Sequence, residues 1–380
     1  MPALRPDVDP DGLLEYSVVF TDRSLNHMSQ AFQQIMHEIH ATLCEAYGAA
    51  RAVVVPGGGT YGMESVARQF ATGKRVLVIR NGFFSYRWSQ IFEAGSIPAA
   101  ETVLKARRIG EGPQAPFAPA PIEEVIERIA GERPDIVFAP HVETASGIIL
   151  PDDYIRAVAD AVHAAGGLFV LDCVASGTVW VDMAASGVDV LISAPQKGWS
   201  APPSAGLVMM NEAALERCRA SQSTSFAMDL GKWNSIMEAY LNGGHAYHAT
   251  MPTDALRAFH KSMLETQALG FDKLKAAQWE QGHAVRAMLA ERGVKSVAAE
   301  GFAAPGVVVS YTDDPEIQNG RKFAAQGLQI AAGVPLQCDE GPDYKSFRLG
   351  LFGLDKLKDV PASLARLDQA FDAVLGGSTR

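Results

Sequence analysis

Two kinds of hydrophobic pattern alternate along the chain. Runs of consecutive apolar residues are typical of buried strands, whereas apolar residues at every third or fourth position are typical of helices that face a core. The first helical pattern predicts a helix over 24–47, which Gly48 would end. The later apolar runs predict strands over 52–55, 75–79, 135–139, 168–172, 188–192 and 206–210. Because helical patterns separate most of these runs, we expect an α/β layered fold with a mostly parallel sheet.

A different arrangement follows this alternation. A long helix is predicted from about 254 to 292, and Gly270 is a candidate break within it. The elements predicted after it are a strand at 306–311, a helix at 317–326, strands at 328–330 and 346–350, and a helix at 362–375. We therefore predict an N-terminal arm (1–20), a large domain (21–253) and a small C-terminal α+β domain (254–380) that opens with the long helix.

Composition narrows the classes of function. Lysine and arginine number 33 against 43 aspartates and glutamates, and the net charge of −10 argues against nucleic acid or an anionic membrane as the main partner. No apolar run approaches the length that spans a bilayer. The four cysteines (44, 173, 218 and 338) lack the spacing of a metal site or a redox pair. We expect reduced thiols, no metal and a cytoplasmic location.

A glycine-rich turn follows the first predicted strand. Residues 56–60 contain three consecutive glycines and lead into a helix predicted to begin near Tyr61. The free N–H groups and the positive dipole end of such a helix start bind anions, most simply a phosphate. The glycines also match the G-x-G-x-x-G pattern of dinucleotide-binding folds, but the next strand ends in Arg80-Asn81-Gly82 and not in an acid. The phosphate of another kind of ligand fits better.

Two charged side chains lie beside predicted buried strands. Lys197 follows the strand at 188–192, and Asp172 ends the strand at 168–172. Burial would lower the pKa of the lysine and make its amine a nucleophile toward aldehydes, whereas a loop lysine that extends to water is an equally good interpretation. A carboxylate at a strand end can be a ligand, a helix cap or half of an ion pair. These residues alone leave both questions open.

Two further segments carry candidate site residues. Residues 141–147 form a polar cluster after the strand at 135–139, and α/β sheets bind ligands at the carboxyl ends of their strands. Residues 83–88 are dense in aromatic side chains. These rings pack in the core along one face of a helix, or one of them covers a planar ligand.

Taken in order, these motifs resemble those of the class V aminotransferases, a family of fold-type I pyridoxal-phosphate enzymes. The resemblance covers about residues 20–375 and places Lys197 25 residues after Asp172. It is carried by the glycine turn at 57–60, residues 81–84, residues 141–147, Asp172, Gln196-Lys197, residues 247–250 and residues 347–350. The family implies a mostly parallel seven-stranded sheet between helices in the large domain, and a small α+β domain.

The resemblance also implies roles for individual residues. Lys197 would form a Schiff base with the aldehyde of pyridoxal 5'-phosphate and later shuttle a proton. Asp172 would keep the pyridine nitrogen of that cofactor protonated, so that the ring can accept electrons. The phosphate would bind at Gly58, Gly59 and Thr60.

Three other residues would contact the cofactor ring. Phe84 would lie flat on it, where many relatives carry tryptophan or tyrosine. Thr144 would form a hydrogen bond with its phenolic oxygen, and Gln196 would stand near the cofactor oxygens.

The resemblance further implies how substrate and subunits are arranged. Arg348 would bind the substrate carboxylate through a bidentate fork. Tyr247 and Thr250 would reach the phosphate of the neighbouring subunit's cofactor, so a homodimer with shared active sites is expected. Residues 16–21 differ from the proline-glycine-proline stretch with which many relatives open, and this difference leaves the amino donor open.

We expect a transaminase that moves an amino group from a small amino acid (alanine- or serine-like) to a small 2-oxo acid (glyoxylate- or pyruvate-like). One alternative donor is 2-aminoethylphosphonate, whose phosphonate group Arg87, Arg108 and His245 would bind if they lie near the site. Another alternative is a cysteine desulfurase or lyase that uses Cys338, although the neighbouring acids would raise the pKa of that thiol. A third alternative is a non-catalytic or nucleotide-binding protein of the same layered architecture, which only the G-x-G-x-x-G match supports.

Overall fold

The computed structural model describes residues 8–10 and 12–376. The rest of the predicted N-terminal arm (1–7 and 11) lies outside the described residues. The helices are α1 (Gln30–Tyr47), α2 (Gly59–Phe70), α3 (Phe83–Gly95), α4 (Ile122–Glu132), α5 (Asp152–Ala164), α6 (Met183–Ser186), α7 (Glu212–Ala220), α8 (Leu230–Leu241), α9 (Thr253–Leu269), α10 (Phe271–Glu291), α11 (Pro315–Gln318), α12 (Arg321–Ala325), α13 (Leu354–Leu357) and α14 (Val360–Leu375). None of these helices combines the length and the apolar character that crossing a membrane would require.

The strands lie between these helices along the chain. They are β1 (Arg51–Pro56), β2 (Arg75–Arg80), β3 (Ala100–Lys105), β4 (Arg107–Arg108), β5 (Phe117–Ala118), β6 (Ile136–Pro140), β7 (Val142–Glu143), β8 (Ile148–Ile149), β9 (Leu168–Asp172), β10 (Val190–Ser193), β11 (Ala205–Met210), β12 (Val307–Tyr311), β13 (Ala331–Ala332) and β14 (Ser346–Gly350).

Seven of the described strands form the main sheet, in the order β1-β11-β10-β9-β6-β2-β3. The pairs from β10 to β3 are parallel, and only β11 runs against both of its neighbours. The predicted mostly parallel seven-stranded sheet is therefore confirmed. Asp172 pairs with Ile192 on one side and with Pro140 on the other, so the loops that leave β6, β9 and β10 meet at one edge of the sheet.

The first helix begins later than its pattern predicts. Helix α1 starts at Gln30 because the Ser29 side chain caps it, accepting a hydrogen bond from the Phe32 N–H at 3.1 Å. Before the cap, Asn26 Oδ1 accepts a hydrogen bond from the Met28 N–H at 2.8 Å, which holds that segment in a turn. The predicted start at residue 24 was wrong, whereas Gly48 ends the helix as expected, with a left-handed φ of 62°.

Two glycines allow α2 to pack directly on the sheet. A Cβ added to Gly206 of β11 would lie 2.6 Å from the Cα of Gly62 in α2, closer than real Cβ contacts come. The third glycine of the G-x-G-x-x-G match is therefore explained by this helix–sheet contact.

The C-terminal part contains a three-stranded antiparallel sheet in the order β12-β14-β13. The predicted helix at 317–326 is two short helices, because Gly320 adopts a left-handed φ of 82° between them. The strand predicted at 328–330 lies instead at Ala331–Ala332. Its shift has a local cause, since the Leu328 N–H is used in closing α12, donating to the Phe323 carbonyl at 3.0 Å.

The predicted long helix is interrupted where its glycine indicated. Gly270, with a φ of 91°, separates α9 from α10. The buried side chains of α9, among them Leu256, Phe259 and Met263, pack into the core of the large sheet. The domain boundary at 253/254 stays a prediction, and this packing favours a boundary near Gly270 instead.

Candidate active site

A cavity of about 220 Å³ opens at the carboxyl edge of the main sheet. Asp172, from the end of β9, and Lys197, from the loop after β10, both line it. Five other residues that the sequence predicts for the site line the same cavity: Gly59, Thr60, Phe84, Thr144 and Gln196. The structure thus brings together residues from five separate segments, and their individual roles remain predictions.

Asp172 lies buried at the floor of this cavity. Its Oδ1 accepts a hydrogen bond from the Val174 N–H at 2.9 Å, the one side-chain hydrogen bond that Asp172 makes within the described part of the chain. Burial raises the pKa of this carboxyl to about 6, with a smaller contribution from the charge of Glu143, while the Val174 N–H and the cations Arg87 and Lys197 oppose the shift. A cationic partner at the free carboxylate oxygen would stabilise the charge that burial disfavours.

Lys197 extends into the cavity from a tightly packed loop. Its Nζ lies 5.3 Å from the centre of the Phe352 ring. Desolvation lowers the pKa of this amine, and the charges of Arg348 and Arg87 lower it further, against the opposing effect of Asp172. A larger share of the amine is therefore unprotonated than for an exposed lysine, which is the form that attacks an aldehyde.

The residue that follows Lys197 in its loop has no room for a side chain. A Cβ added to Gly198 would overlap the carbonyl oxygen of Gly177. Trp199 follows as a fully buried side chain, and its carbonyl accepts a hydrogen bond from Ser262 Oγ at 2.5 Å. The segment that carries Lys197 is thus tightly packed, and the lysine lines the cavity. This placement favours the buried nucleophile over a loop lysine that extends to water, and the role of Lys197 stays a prediction.

The start of α2, which also lines the cavity, forms a cradle of the kind that binds anions. Helix α2 begins at Gly59, two residues before the predicted start, after Gly58 in an extended conformation that offers no side-chain cap. The first N–H groups of the helix are thus available to a ligand. A Cβ added at Gly58 would meet nothing within 4 Å, so the approach to the cradle is open. Thr60 adds a hydroxyl group, which accepts a hydrogen bond from Arg87 Nη1 at 3.0 Å.

Phe84 is positioned by a buried carboxylate that sequence reasoning missed. Glu143 is fully buried. It accepts hydrogen bonds from the N–H groups of Phe84 at 3.1 Å, Ser85 at 2.9 Å and Ala145 at 2.9 Å. A Cβ on Gly82 would lie 2.7 Å from Glu143 Cγ, so only glycine fits at that position. Glu143 therefore joins the start of α3 to the polar cluster at 141–147.

The chemistry of this lining fits a phosphorylated, planar aldehyde with a basic ring nitrogen. The cradle suits the phosphate, the Phe84 ring suits a planar face, Asp172 suits a protonated nitrogen and Lys197 suits the aldehyde. The Gln196 Oε1 atom is buried without a partner among the described residues, which indicates that a polar ligand completes the site.

Arg348 lies beside the cavity and not in its wall. Its Cζ is 5.5 Å from the centre of the Phe84 ring, and its Nε donates a hydrogen bond to the Ala332 carbonyl at 2.8 Å. Desolvation lowers the pKa of this guanidinium, with Glu143 acting in the opposite direction. The small sheet thus places a cation beside Phe84 in the cavity wall.

Tyr247 and Thr250 do not line the cavity of their own chain. Both are exposed, and the Tyr247 hydroxyl lies 3.1 Å from Thr250 Oγ1. Their predicted contact with the phosphate of a neighbouring subunit stays a prediction.

Cys338 is poorly placed for the desulfurase alternative. It lies outside the cavity wall, is buried, and its Sγ contacts the Arg80 carbonyl oxygen at 3.5 Å. Burial raises the pKa of this thiol to about 12, and the charges of Glu143 and Glu340 add to the effect. A thiolate nucleophile is disfavoured at this position.

Known proteins match most of this chain. A family model described as aminotransferase class-V matches residues 13–301. The chain is 27% identical to a 2-aminoethylphosphonate–pyruvate transaminase of Paraburkholderia phymatum, over 91% of this chain and 89% of that protein. It is 26% identical to a protein of Synechococcus sp. named soluble hydrogenase, small subunit, over 90% of this chain and 86% of that protein.

The solved structures agree with the fold. The crystal structure of an alanine–glyoxylate aminotransferase from Nostoc sp. superposes with a TM-score of 0.78, covering 92% of this chain and 89% of that one at 22% identity. At that identity the similarity shows the fold alone, which is the fold of the pyridoxal-phosphate aminotransferases. Because the family model spans more than half of the sequence, the chain belongs to the class V aminotransferases and is an enzyme of that family.

Proposed function

We propose that this enzyme uses pyridoxal 5'-phosphate to move the amino group of a small amino acid, alanine- or serine-like, to a small 2-oxo acid, glyoxylate- or pyruvate-like. The observation that carries the proposal is the meeting of Asp172 and Lys197 in one cavity whose wall includes an anion-binding helix start. Bound there, the cofactor supplies an aldehyde that reacts with amines and a ring that stabilises the electron pair left when the Cα proton departs.

The cofactor is held by the residues of the cavity. Gly58, Gly59 and Thr60 would bind the phosphate, and Phe84 would cover the ring. Thr144 and Gln196 would form hydrogen bonds with its polar groups. Asp172 would accept a hydrogen bond from the ring nitrogen and keep it protonated, and the positive charge there would favour the ionised form of a carboxyl whose pKa is otherwise raised to about 6.

Lys197 acts as the base and acid of the reaction. Its lowered pKa favours the unprotonated form of Nζ, which can take a proton from the substrate Cα and later return it. The rigid loop around Gly198 keeps this amine at the cavity while the proton moves.

Arg348 binds the acidic group of the substrate beside the cavity. A guanidinium fork accepts a carboxylate or a phosphonate in the same way, so 2-aminoethylphosphonate remains an alternative donor. The 2-aminoethylphosphonate–pyruvate transaminase relative supports this alternative.

We also propose a cytoplasmic homodimer with shared active sites, in which Tyr247 and Thr250 reach the neighbouring phosphate. Three apolar side chains near the N-terminus support a partner surface, since Leu13, Tyr16 and Val18 are 94%, 89% and 103% exposed in the single chain. A second copy covering them would remove that apolar surface from water.

The experiment is a half-reaction with a panel of amino donors. The chain is loaded with pyridoxal phosphate, and the cofactor absorbance is followed after addition of alanine, serine, aspartate or 2-aminoethylphosphonate. We expect one of the small donors to convert the aldehyde form of the cofactor to its amine form, and glyoxylate or pyruvate to reverse the change. If no donor converts a cofactor that is bound, the transaminase proposal fails.

A further inference from the structure

Two guanidinium groups flank the Phe84 ring, and they have different surroundings. Arg348 Cζ lies 5.5 Å from the ring centre and Arg87 Cζ lies 5.1 Å from it. Arg348 is held by the small sheet beside the cavity. Arg87 belongs to α3, lines the cavity, and donates from Nη1 to the hydroxyl of Thr60 at the start of α2. Only one of the two is therefore in contact with the anion-binding cradle.

Arg87 carries a charge that nothing in the described chain neutralises. No carboxylate lies within ion-pairing distance of it among residues 8–10 and 12–376, whereas exposed arginines such as Arg128 have an acidic partner there. Its field is felt at the reacting groups, since it lowers the pKa of both Asp172 and Lys197. An unpaired guanidinium beside a helix start indicates that an anion completes the arrangement.

The helix start alone does not neutralise the charge of a phosphate. A helix start supplies the equivalent of roughly half a positive charge. A phosphate monoester carries about −1.5 to −2 charges at neutral pH. Gly58, Gly59 and Thr60 add no charge of their own. Arg87 is the side chain that contacts this cradle with a full positive charge, and its five N–H donors allow it to keep Thr60 while binding a phosphate oxygen.

We propose that Arg87 is a phosphate-binding residue of the cofactor site and not a second grip for the substrate. This inference rests on the proposed function, because it assumes that the cradle holds the phosphate of pyridoxal phosphate. Arg348 alone then binds the acidic group of the substrate. Arg87 takes no part in selecting the amino donor.

The test compares two ligands that differ only in the phosphate. Affinities for pyridoxal phosphate and for pyridoxal are measured by quenching of tryptophan fluorescence in the cofactor-free chain, with Arg87→Gln and Arg87→Met beside the wild type. Arg128→Gln serves as the control, since it removes an exposed arginine on another helix. Melting curves establish which variants fold. One folded Arg87 variant is sufficient for the comparison of the two ligands.

We expect the Arg87 variants to bind pyridoxal phosphate about tenfold to a hundredfold more weakly, as for the loss of a charged hydrogen bond. Pyridoxal should bind to them as it binds to the wild type, and Arg128→Gln should change neither affinity. Equal losses for both ligands would assign Arg87 a structural role and overturn the inference. An unchanged affinity for pyridoxal phosphate, together with a raised KM for the amino donor or the 2-oxo acid, would also overturn the inference. A wild type that binds neither ligand would instead contradict the proposed function.

Discussion

Lys197, on the loop after β10, and Asp172, the last residue of the neighbouring parallel strand β9, line one cavity. The 24 residues between them include α6 and β10, and the pairing of Ile192 with Asp172 fixes the position at which the chain returns. Each of the two groups acts on the other, because Lys197 lowers the pKa of the carboxyl and Asp172 raises the pKa of the amine. This arrangement underlies the predictions that follow.

Asp172→Asn should abolish transamination and yet stabilise the cofactor-free chain at high pH. The folded carboxyl has a pKa raised from 3.8 to about 6, so its contribution to stability is full below pH 3.8 and is lost as pH rises through about 6. Asparagine removes that penalty and can keep the hydrogen bond from Val174. We expect up to about 3 kcal/mol of added stability at pH 8 and little difference near pH 4.

The measurement for Asp172→Asn is the shift of the unfolding midpoint against wild type at both pH values. A variant that is destabilised equally at pH 8 and at pH 4 would show that the buried charge is not the cause.

Glu143→Gln should weaken both the fold and the binding of the cofactor. The amide NH₂ would replace a carboxylate oxygen that accepts from the N–H of Ser85 at 2.9 Å and from the Ser85 hydroxyl at 2.6 Å. Two donors would then face each other in a buried position, at a cost of about 2–4 kcal/mol. Chemical denaturation and titration with pyridoxal phosphate measure the two effects.

Glu127→Gln is the matched control for this substitution, since Glu127 is exposed on α4. If the two variants are equally stable, Glu143 does not position Phe84 through these hydrogen bonds.

Gly198→Ala should displace the loop that carries Lys197. The added methyl group would overlap the Gly177 carbonyl, and we expect a loss of about 1–3 kcal/mol in stability together with a lower kcat. Gly131→Ala provides the contrast, because a Cβ there meets nothing within 4 Å and the residue lies inside α4. That variant should be as stable as the wild type or more stable, by up to about 1 kcal/mol. Equal kcat values in the two variants would contradict the account of the loop.

Mixing two inactive variants tests the shared active site. Lys197→Ala removes the amine, and a Tyr247→Phe/Thr250→Ala chain removes the predicted contact with the neighbouring phosphate. In a refolded equal mixture half of the dimers are mixed, and each mixed dimer has one complete site, so about a quarter of wild-type activity should return. If the mixture stays inactive, each site is built within one chain.

Six of the seven strands in the main sheet were predictable because they contain apolar runs, whereas β3 (Ala100–Lys105) mixes polar and apolar residues. β9 ends at Asp172 and β14 covers Ser346–Gly350, as their patterns indicated. The meeting of Asp172 with the loop of Lys197 follows from the general rule that parallel strands present their carboxyl ends at one edge. The site could be anticipated to that extent from local pattern and topology.

Other features depend on contacts that are remote in the sequence. Glu143 acts through the backbone N–H groups of Phe84 and Ser85, and no side-chain pattern shows which amides a carboxylate will meet. Arg87 lies three residues after Phe84 in α3, and this spacing indicates that both side chains share one face of the helix. The contact of Arg87 with Thr60 could not be predicted in this way, because it is set by the packing of α3 beside α2. The predicted contact of Tyr247 and Thr250 with a phosphate would depend on a second chain.

The central claim is that the Lys197 amine reacts with the cofactor aldehyde. The chain is loaded with pyridoxal phosphate, reduced with borohydride, digested, and its peptides are examined by mass spectrometry. We predict that the cofactor mass is attached to the peptide that contains Lys197, and that Lys197→Ala takes up none. A label on another lysine, or no label on a chain that has bound the cofactor, would contradict the account.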